Sequence, residues 1–453
     1  MITMMVILLG IGAIQAQAAT YTVNALGDAG DFTCDATCTL RDAIQAANAN
    51  PDNDTIEFSV TGMIILTSGD LLIANNGTLT INGPGADQLT ISGNNASRVF
   101  GVTSSATVVI NGVTISGGNS GSGSNGGGVF NVGSLTVTNS TISGNTGYWG
   151  GGIFSLGTLN VTNSTISGNT AAGGGGGIGG GIANNDGTLT VTNSTISGNT
   201  AAGGGGAAGA IWNVGSPGRL ATANITNSTF SGNSAPFVGG ILSSQYGSVT
   251  LKNSIVANSP SGGDCFNSSG TINAEFSLIE DGSCGVTSGI NGNRTGDPNL
   301  GPLQNNGGPT QTHALLAGSP AINAGSDLLI PVGITTDQRG TGFARIFGAA
   351  VDMGAFEVQS PPDADGDGVF DADDVCPGTV LPEDRPAGLR KNRFYANELG
   401  NFIDAGGTSA GITVIDTGGC SGIQIIEVVG LGSGHVRFGI TRSALEAWIA
   451  ALP

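Results

Sequence analysis

Between Leu89 and Asn258 one phrase returns, Leu-x-Val-Thr-Asn-Ser-Thr-Ile-Ser-Gly-Asn, and nothing else in the sequence restricts the fold as much. It occupies 135–145, 159–169 and 189–199, with looser copies at 223–233 and 249–258. The spacing from Ile91 through Ile115, Ile142 and Ile166 to Ile196 is 24, 27, 24 and 30 residues. A period of this size means stacked units. Inside a unit, Leu135 and Val137 alternate with Thr136 and Thr138, a period of two, and Asn139 and Gly144 supply turns. No stripe of helical period interrupts the pattern. The expected fold is all-β: a right-handed parallel β-helix with Val137, Val161 and Val191 stacked inside, and with corner asparagines free to form an amide ladder that satisfies turn backbone. The repeated corner also accounts for the Asn-x-Thr sequons at Asn139, Asn163, Asn193 and Asn227 better than glycosylation does. Two glycine-rich inserts, 173–181 and 203–206, fall at the same place in their units and read as loops bulging from one corner.

Charge narrows the function. Thirteen basic against thirty-two acidic residues give −19, which leaves no basic stripe for nucleic acid and repels an anionic lipid surface. An apolar run from Met4 to Ile14, followed by Ala16-Gln17-Ala18, reads as a secretory leader over 1–18 and is too short to span a bilayer. The product is expected outside the cell, without membrane insertion and as a monomer. Six cysteines fit that oxidising setting and fall into neighbouring pairs, Cys34 with Cys38, Cys265 with Cys284, and Cys376 with Cys420. Zinc is the competing use of these thiols, but His313 and His435 are near no cysteine at ligand spacing.

Several segments carry a resemblance. Phe230-Ser-Gly-Asn233, its Ile-Ser-Gly-Asn relatives and Gly150-Gly-Gly-Ile153 resemble the short paired motifs of polymorphic outer-membrane proteins and other β-helix surface proteins. Cys38-Thr-Leu-Arg-Asp-Ala-Ile44 resembles the Cys-Ser-Leu-Arg-Glu-Ala opening of secreted bacterial β-helix proteins, with Thr39 and Asp42 in place of Ser and Glu. Leu40, Ala43, Ile44 and Ala47 share a helical face, so a short helix is expected to cap the open end of the stack. Gly318-Ser-Pro-Ala-Ile-Asn-Ala-Gly325, Asp337-Gln-Arg-Gly340 and Asp352-Met-Gly-Ala-Phe-Glu357 are similar to the closing segment of the same proteins. The expected division is a cap over 19–59, the β-helix over 60–358, a linker with a metal loop over 359–376, and a small α+β module over 377–453.

In the linker, Asp363, Asp365, Asp367, Asp371 and Asp374 stand at loop positions 1, 3, 5, 9 and 12, with Gly368 at the sharp turn and Val369 offering its carbonyl. That density of oxygen ligands suits Ca²⁺. Asp at the last position and the following Cys376-Pro377 make the segment similar to a thrombospondin type 3 repeat. The final module, basic and aromatic over 385–395, resembles one attached to many secreted bacterial proteins. That resemblance is consistent with a single Cys376–Cys420 bridge and implies no activity.

A β-helix invites comparison with polysaccharide lyases and hydrolases, which need a base near metal-binding carboxylates or a pair of carboxylates. From residue 101 to 218 the sole charged residue is Asp186. Arg98, Arg219, Lys252 and Asp264 lie at unrelated phases, and Asp337, Arg339, Asp352 and Glu357 are expected to pair with one another in the closing coil. The reading is a non-catalytic, adhesin-like scaffold that binds a glycan or a surface protein. A pectate-lyase-like enzyme is the alternative, and an ice binder is the weaker one, because Asn160 and Lys252 interrupt the threonine ranks.

Overall fold

The computed structural model describes residues 17–74, 77–359, 365, 367, 369 and 374–452. The leader expected at 1–18 lies outside them up to residue 16, as do Asp363 and Asp371. Two compact units divide the chain, one up to Val358 and the other from Gln359.

The first unit is a parallel β-helix of three sheets, with ten, nine and eight strands, each complete coil contributing one strand to each sheet and the end coils fewer. One coil shows the logic: Ser134–Thr138 in the first sheet, Thr141–Ser143 in the second, Ile153–Ser155 in the third. Alternate side chains turn inward, so Val137, Val161 and Val191 pair in register and are fully buried, as are Ile142, Ile166 and Ile196. Stacking identical side chains at the strand spacing of about 4.8 Å buries each between two copies of itself.

The corners divide their labour. Asn139, Asn163, Asn193, Asn227 and Asn253 adopt φ of +46° to +49°, the left-handed turn that asparagine tolerates best after glycine. The next residue is a buried serine, and each backbone N–H from Ser140 to Ser254 donates to the hydroxyl one coil on, ending at Ser277. The amide ladder expected at the corners is built from a different set. Asn145, Asn169 and Asn199 each donate Nδ2 to the next Oδ1 at 2.9 Å, the last acceptor being Asn233, and all four are buried. At the third corner Gly151 is obligatory, since a Cβ there would lie 2.5 Å from the Gly180 carbonyl oxygen of the adjacent coil.

The glycine inserts share a corner as the period implies, but they do not bulge independently. Thr146–Gly147, Thr170–Ala171 and Thr200–Ala201 pair as a small fourth sheet. Beyond it the loops lie against each other, with a Cβ on Gly176 falling 2.2 Å from the Gly205 carbonyl carbon.

Both β-helix boundaries differ from the expected 60–358. Parallel pairing begins with Thr20–Val23 on Asp54–Phe58, because the residues flanking the helix already carry strand alternation. Between them, helix α1 (Leu40–Ala49) buries Leu40, Ala43, Ile44 and Ala47 against the first strands, closed at its start by a Thr39–Asp42 capping box. Arg41 leaves the helix to bind Asp28 at 2.9 Å and the carbonyls of Gly69 and Asp70. At the other end the last strand of the second sheet is Leu278–Ile279, followed by a single parallel bridge to Arg294. The chain from about 296 to 358 adds no coil: it turns back and lies as a strap along the outer face of the second sheet. Thr165 Oγ1 donates to the Gln311 carbonyl at 2.6 Å, Asn193 Nδ2 to that of Thr336 at 2.7 Å, and Ala355 N to Thr229 Oγ1 at 2.9 Å. Under the strap's end, the outward residues Ile255, Ala257 and Leu278 bury themselves with Leu315, Ala321, Ala324 and Met353.

In the second unit, Tyr395–Ala396, Asn401–Ile403 and Ser409–Thr413 form an antiparallel sheet, joined by helices Gly422–Val429, Ser433–Phe438 and Arg442–Ile449. Its core centres on Phe402, Val414, Ile425, Ile440 and Leu445. All three cysteine pairs close as disulfides, Cys34–Cys38, Cys265–Cys284 and Cys376–Cys420.

Candidate functional site

Asp365, Asp367 and Asp374 each bring a carboxylate oxygen within 4.8 Å of the other two. The loop folds on itself through short bonds: Val369 N donates to Asp367 Oδ1 at 2.8 Å and Cys376 N to Asp374 Oδ1 at 2.8 Å. Asp365 Oδ2 accepts from the N–H groups of Gly378 and Thr379 at 2.7 and 2.6 Å, and Cys376 between them is bridged to Cys420. The acidic loop is thereby fastened to the start of the second unit's own core. Asp367 and Val369 are buried, the other two half-buried. Three carboxylates this close repel one another strongly in a partly dry setting. Only oxygen donors converge, which is the chemistry of a hard cation rather than of zinc or copper.

The charged residues of the closing segment meet, as expected, but inside the strap rather than in a coil. Arg339 pairs with Asp337 at 2.6 Å, its guanidinium held between the rings of Phe343 and Phe356 at 3.8 and 3.7 Å. Arg345, which the sequence reading missed, pairs with Glu357 at 2.7 Å and donates to the Gly354 and Asp352 carbonyls. Burial pushes Glu357 up to about 7 against the pull of Arg345, and raises Asp352 as well. None of these five side chains is more than 5% exposed. A dissolved glycan does not reach them.

A second arrangement escaped the sequence altogether. Ser197 Oγ lies 2.9 Å from His313 Nε2, and His313 Nδ1 lies 2.7 Å from the Gly301 carbonyl. The carbonyl can only accept, so Nδ1 carries the proton and Nε2 accepts from the serine. That is the polarity of a nucleophile–base pair, yet both residues are buried between strap and sheet. Burial also lowers the His313 pKa, which keeps the ring neutral.

Outside the strap the faces differ in chemistry. On the first sheet, Thr136, Asn160, Thr190, Asn224 and Thr250 follow one another in register, all uncharged, Asn224 exposed and the others half-exposed. On the third, Phe130 and Phe154 stack with centroids 5.7 Å apart, and Trp149 bridges Phe154 to Trp212 at 6.4 and 6.3 Å. The visible signal for that row was the middle residue of each Gly-Gly-hydrophobic strand. Arg98 caps it over Phe130 while paired to Asp70.

No protein-family model matches the chain, and no curated protein matches it. Among solved structures, the crystal structure of pectate lyase Pel9A aligns with a TM-score of 0.37 at 14% identity, over 76% of this chain and 98% of that one.

Proposed function

We propose that the chain is an exported bacterial scaffold without catalytic activity, a β-helix whose uncharged outer rows make adhesin-like contact with a glycan, a surface protein or a cell. The observation that carries this is the first sheet's outer face, where threonine and asparagine recur coil after coil with no charged side chain in the strands from Thr107 to Thr226, Asp186 and Arg219 standing at the corners that precede two of them. The burial of Asp337, Arg339, Arg345, Asp352 and Glu357 supports it further, because the acids and bases an alternative lyase or hydrolase would need are consumed in fastening the strap. A glycan array and whole-cell binding by the mature protein, beside a cleavage panel of pectin, alginate and chitin, tests both readings. Binding without release of unsaturated uronates or reducing ends is expected; release of either overturns the proposal.

Calcium is the second element of the reading. Asp363, Asp365, Asp367, Asp371 and Asp374, with the Val369 carbonyl, would hold one Ca²⁺, which supplies charge neutralisation and no chemistry on a substrate. Calorimetric titration of the chelated protein should give one site. An Asp365→Ala/Asp367→Ala protein that binds equally well would refute it.

A further inference from the structure

The second unit gathers the cations that the rest of the chain avoids. Arg385, Arg390, Lys391 and Arg393 fall within nine positions, and the fold adds Arg437, so five of thirteen basic residues belong to one patch of a protein carrying −19. Phe438 organises it. Arg390 lies 3.6 Å over its ring and Arg437 5.3 Å, while Arg393 Nη1 donates to the next carbonyl, Gly439, at 3.2 Å. Backbone bonds from Gly388 N to the Arg437 carbonyl and from Arg390 N to that of Phe438 clamp the two segments together. Arg385 stands 5.9 Å from the Tyr395 ring. Arg385, Arg390, Lys391 and Arg437 are exposed.

None of the five forms a salt bridge among the described residues, although Arg442 in the same unit pairs with Glu446 at 2.8 Å. Asp404, which feels Lys391, is occupied by the N–H groups of Asn392, Gly406 and Thr408. A chain with so many spare carboxylates leaves its densest group of guanidiniums uncompensated. Stacking on an aromatic ring desolvates one face of a guanidinium and fixes its plane, which leaves the donor fork aimed outward for a planar acceptor.

We propose that this arginine cluster is a docking surface for an acidic glycan whose uronate carboxylates the forks bind bidentately. Carboxylate is the planar, two-oxygen partner that fits a fork. A polymer repeats it along a chain that the acidic remainder of the protein repels, so that contact is confined to this patch. The three disulfides fit a setting outside the cell, where uronate polymers occur and nucleic acid is scarce. The site is independent of the scaffold reading: an enzyme would be tethered by it equally well.

The test is retention of the mature, calcium-loaded protein on immobilised hyaluronate, with neutral dextran, duplex DNA and anionic phospholipid vesicles as parallel surfaces. Hyaluronate should hold the wild type at low salt and release it as salt rises. Arg390→Gln/Arg437→Gln should weaken retention at least about tenfold, the loss expected of one or two charge-assisted bonds. Arg390→Lys/Arg437→Lys, which keeps the charge but not the fork, should recover only part. Arg442→Gln should change nothing. Should the double variant fail to fold, Arg385→Gln alone must still lower retention. The proposal is overturned by no wild-type retention on hyaluronate, by equal loss in Arg442→Gln, or by binding to DNA or vesicles alone.

Discussion

Ser197 and His313, 116 residues apart, meet through Oγ and Nε2 at 2.9 Å, and this single contact shows that the chain's end has returned to its middle. Because burial lowers the His313 pKa below its ordinary 6.5, the folded state binds fewer protons than the unfolded one under acid. The contact's contribution is complete above about pH 6.5 and is lost as pH falls toward the lower folded value. Limited proteolysis between 296 and 358 should therefore accelerate from pH 7 to pH 5, and His313→Gln should remove that dependence.

Asp264 gives the opposite sign. Burial, with Asp281 and Glu280 close by, raises it from 3.8 to about 6. Stability held below pH 4 is then lost as pH rises through about 6. Asp264 Oδ2 accepts from Asp281 N at 3.1 Å, a bond that an asparagine oxygen keeps. Asp264→Asn should flatten the melting-temperature profile between pH 4 and 6, read by calorimetry.

The two asparagine sets should respond differently to the same change. Asn163→Gly removes a side chain from a left-handed turn and should move stability by less than about 1 kcal/mol. Asn169→Gly takes the acceptor from both Asn145 donors and the side-chain donor from the Ile142 carbonyl, leaving Asn199 Oδ1 only the backbone N–H of residue 169, all in a dry core, so a loss above about 3 kcal/mol is expected. Denaturant titration of the two variants compares them.

Cys376→Ser/Cys420→Ser opens a loop whose ends are 44 residues apart. Chain entropy alone puts the loss for the second unit at about 4 kcal/mol. Asp365 is tied to the Gly378–Thr379 turn beside that bridge, so calcium affinity should fall along with it. Titration of the variant at a temperature where it remains folded separates the two effects.

What was legible from sequence was whatever repeats. Val161 could be assigned to the interior because Leu159 and Val161 alternate with Asn160 and Thr162 in every copy, and the cysteine pairs could be matched because each is local or flanks one small unit. The ladder was half legible: two asparagines recur per unit, and only the backbone dihedrals tell the turn former Asn163 from the ladder member Asn169. The strap was not legible, since its partners are 70 to 170 residues away and it repeats nothing. A trace existed in the second sheet, where the outward Thr195 and Ser197 become Ile255 and Ala257 while the inward phase persists. Outward apolar residues in a solenoid mean that something lies over them. Arg345 gave no local sign, because a buried guanidinium is defined by the carbonyls around it.

A bare stack of coils is held by neighbour contacts alone and can be peeled from its end one rung at a time. The strap changes how such a stack bears load. Its hydrogen bonds begin at the Asn163–Thr165 corner and its apolar contacts reach Leu278, so tension entering at Val358 is spread over every coil between them. Those coils must give way together, as a seam sheared along its length.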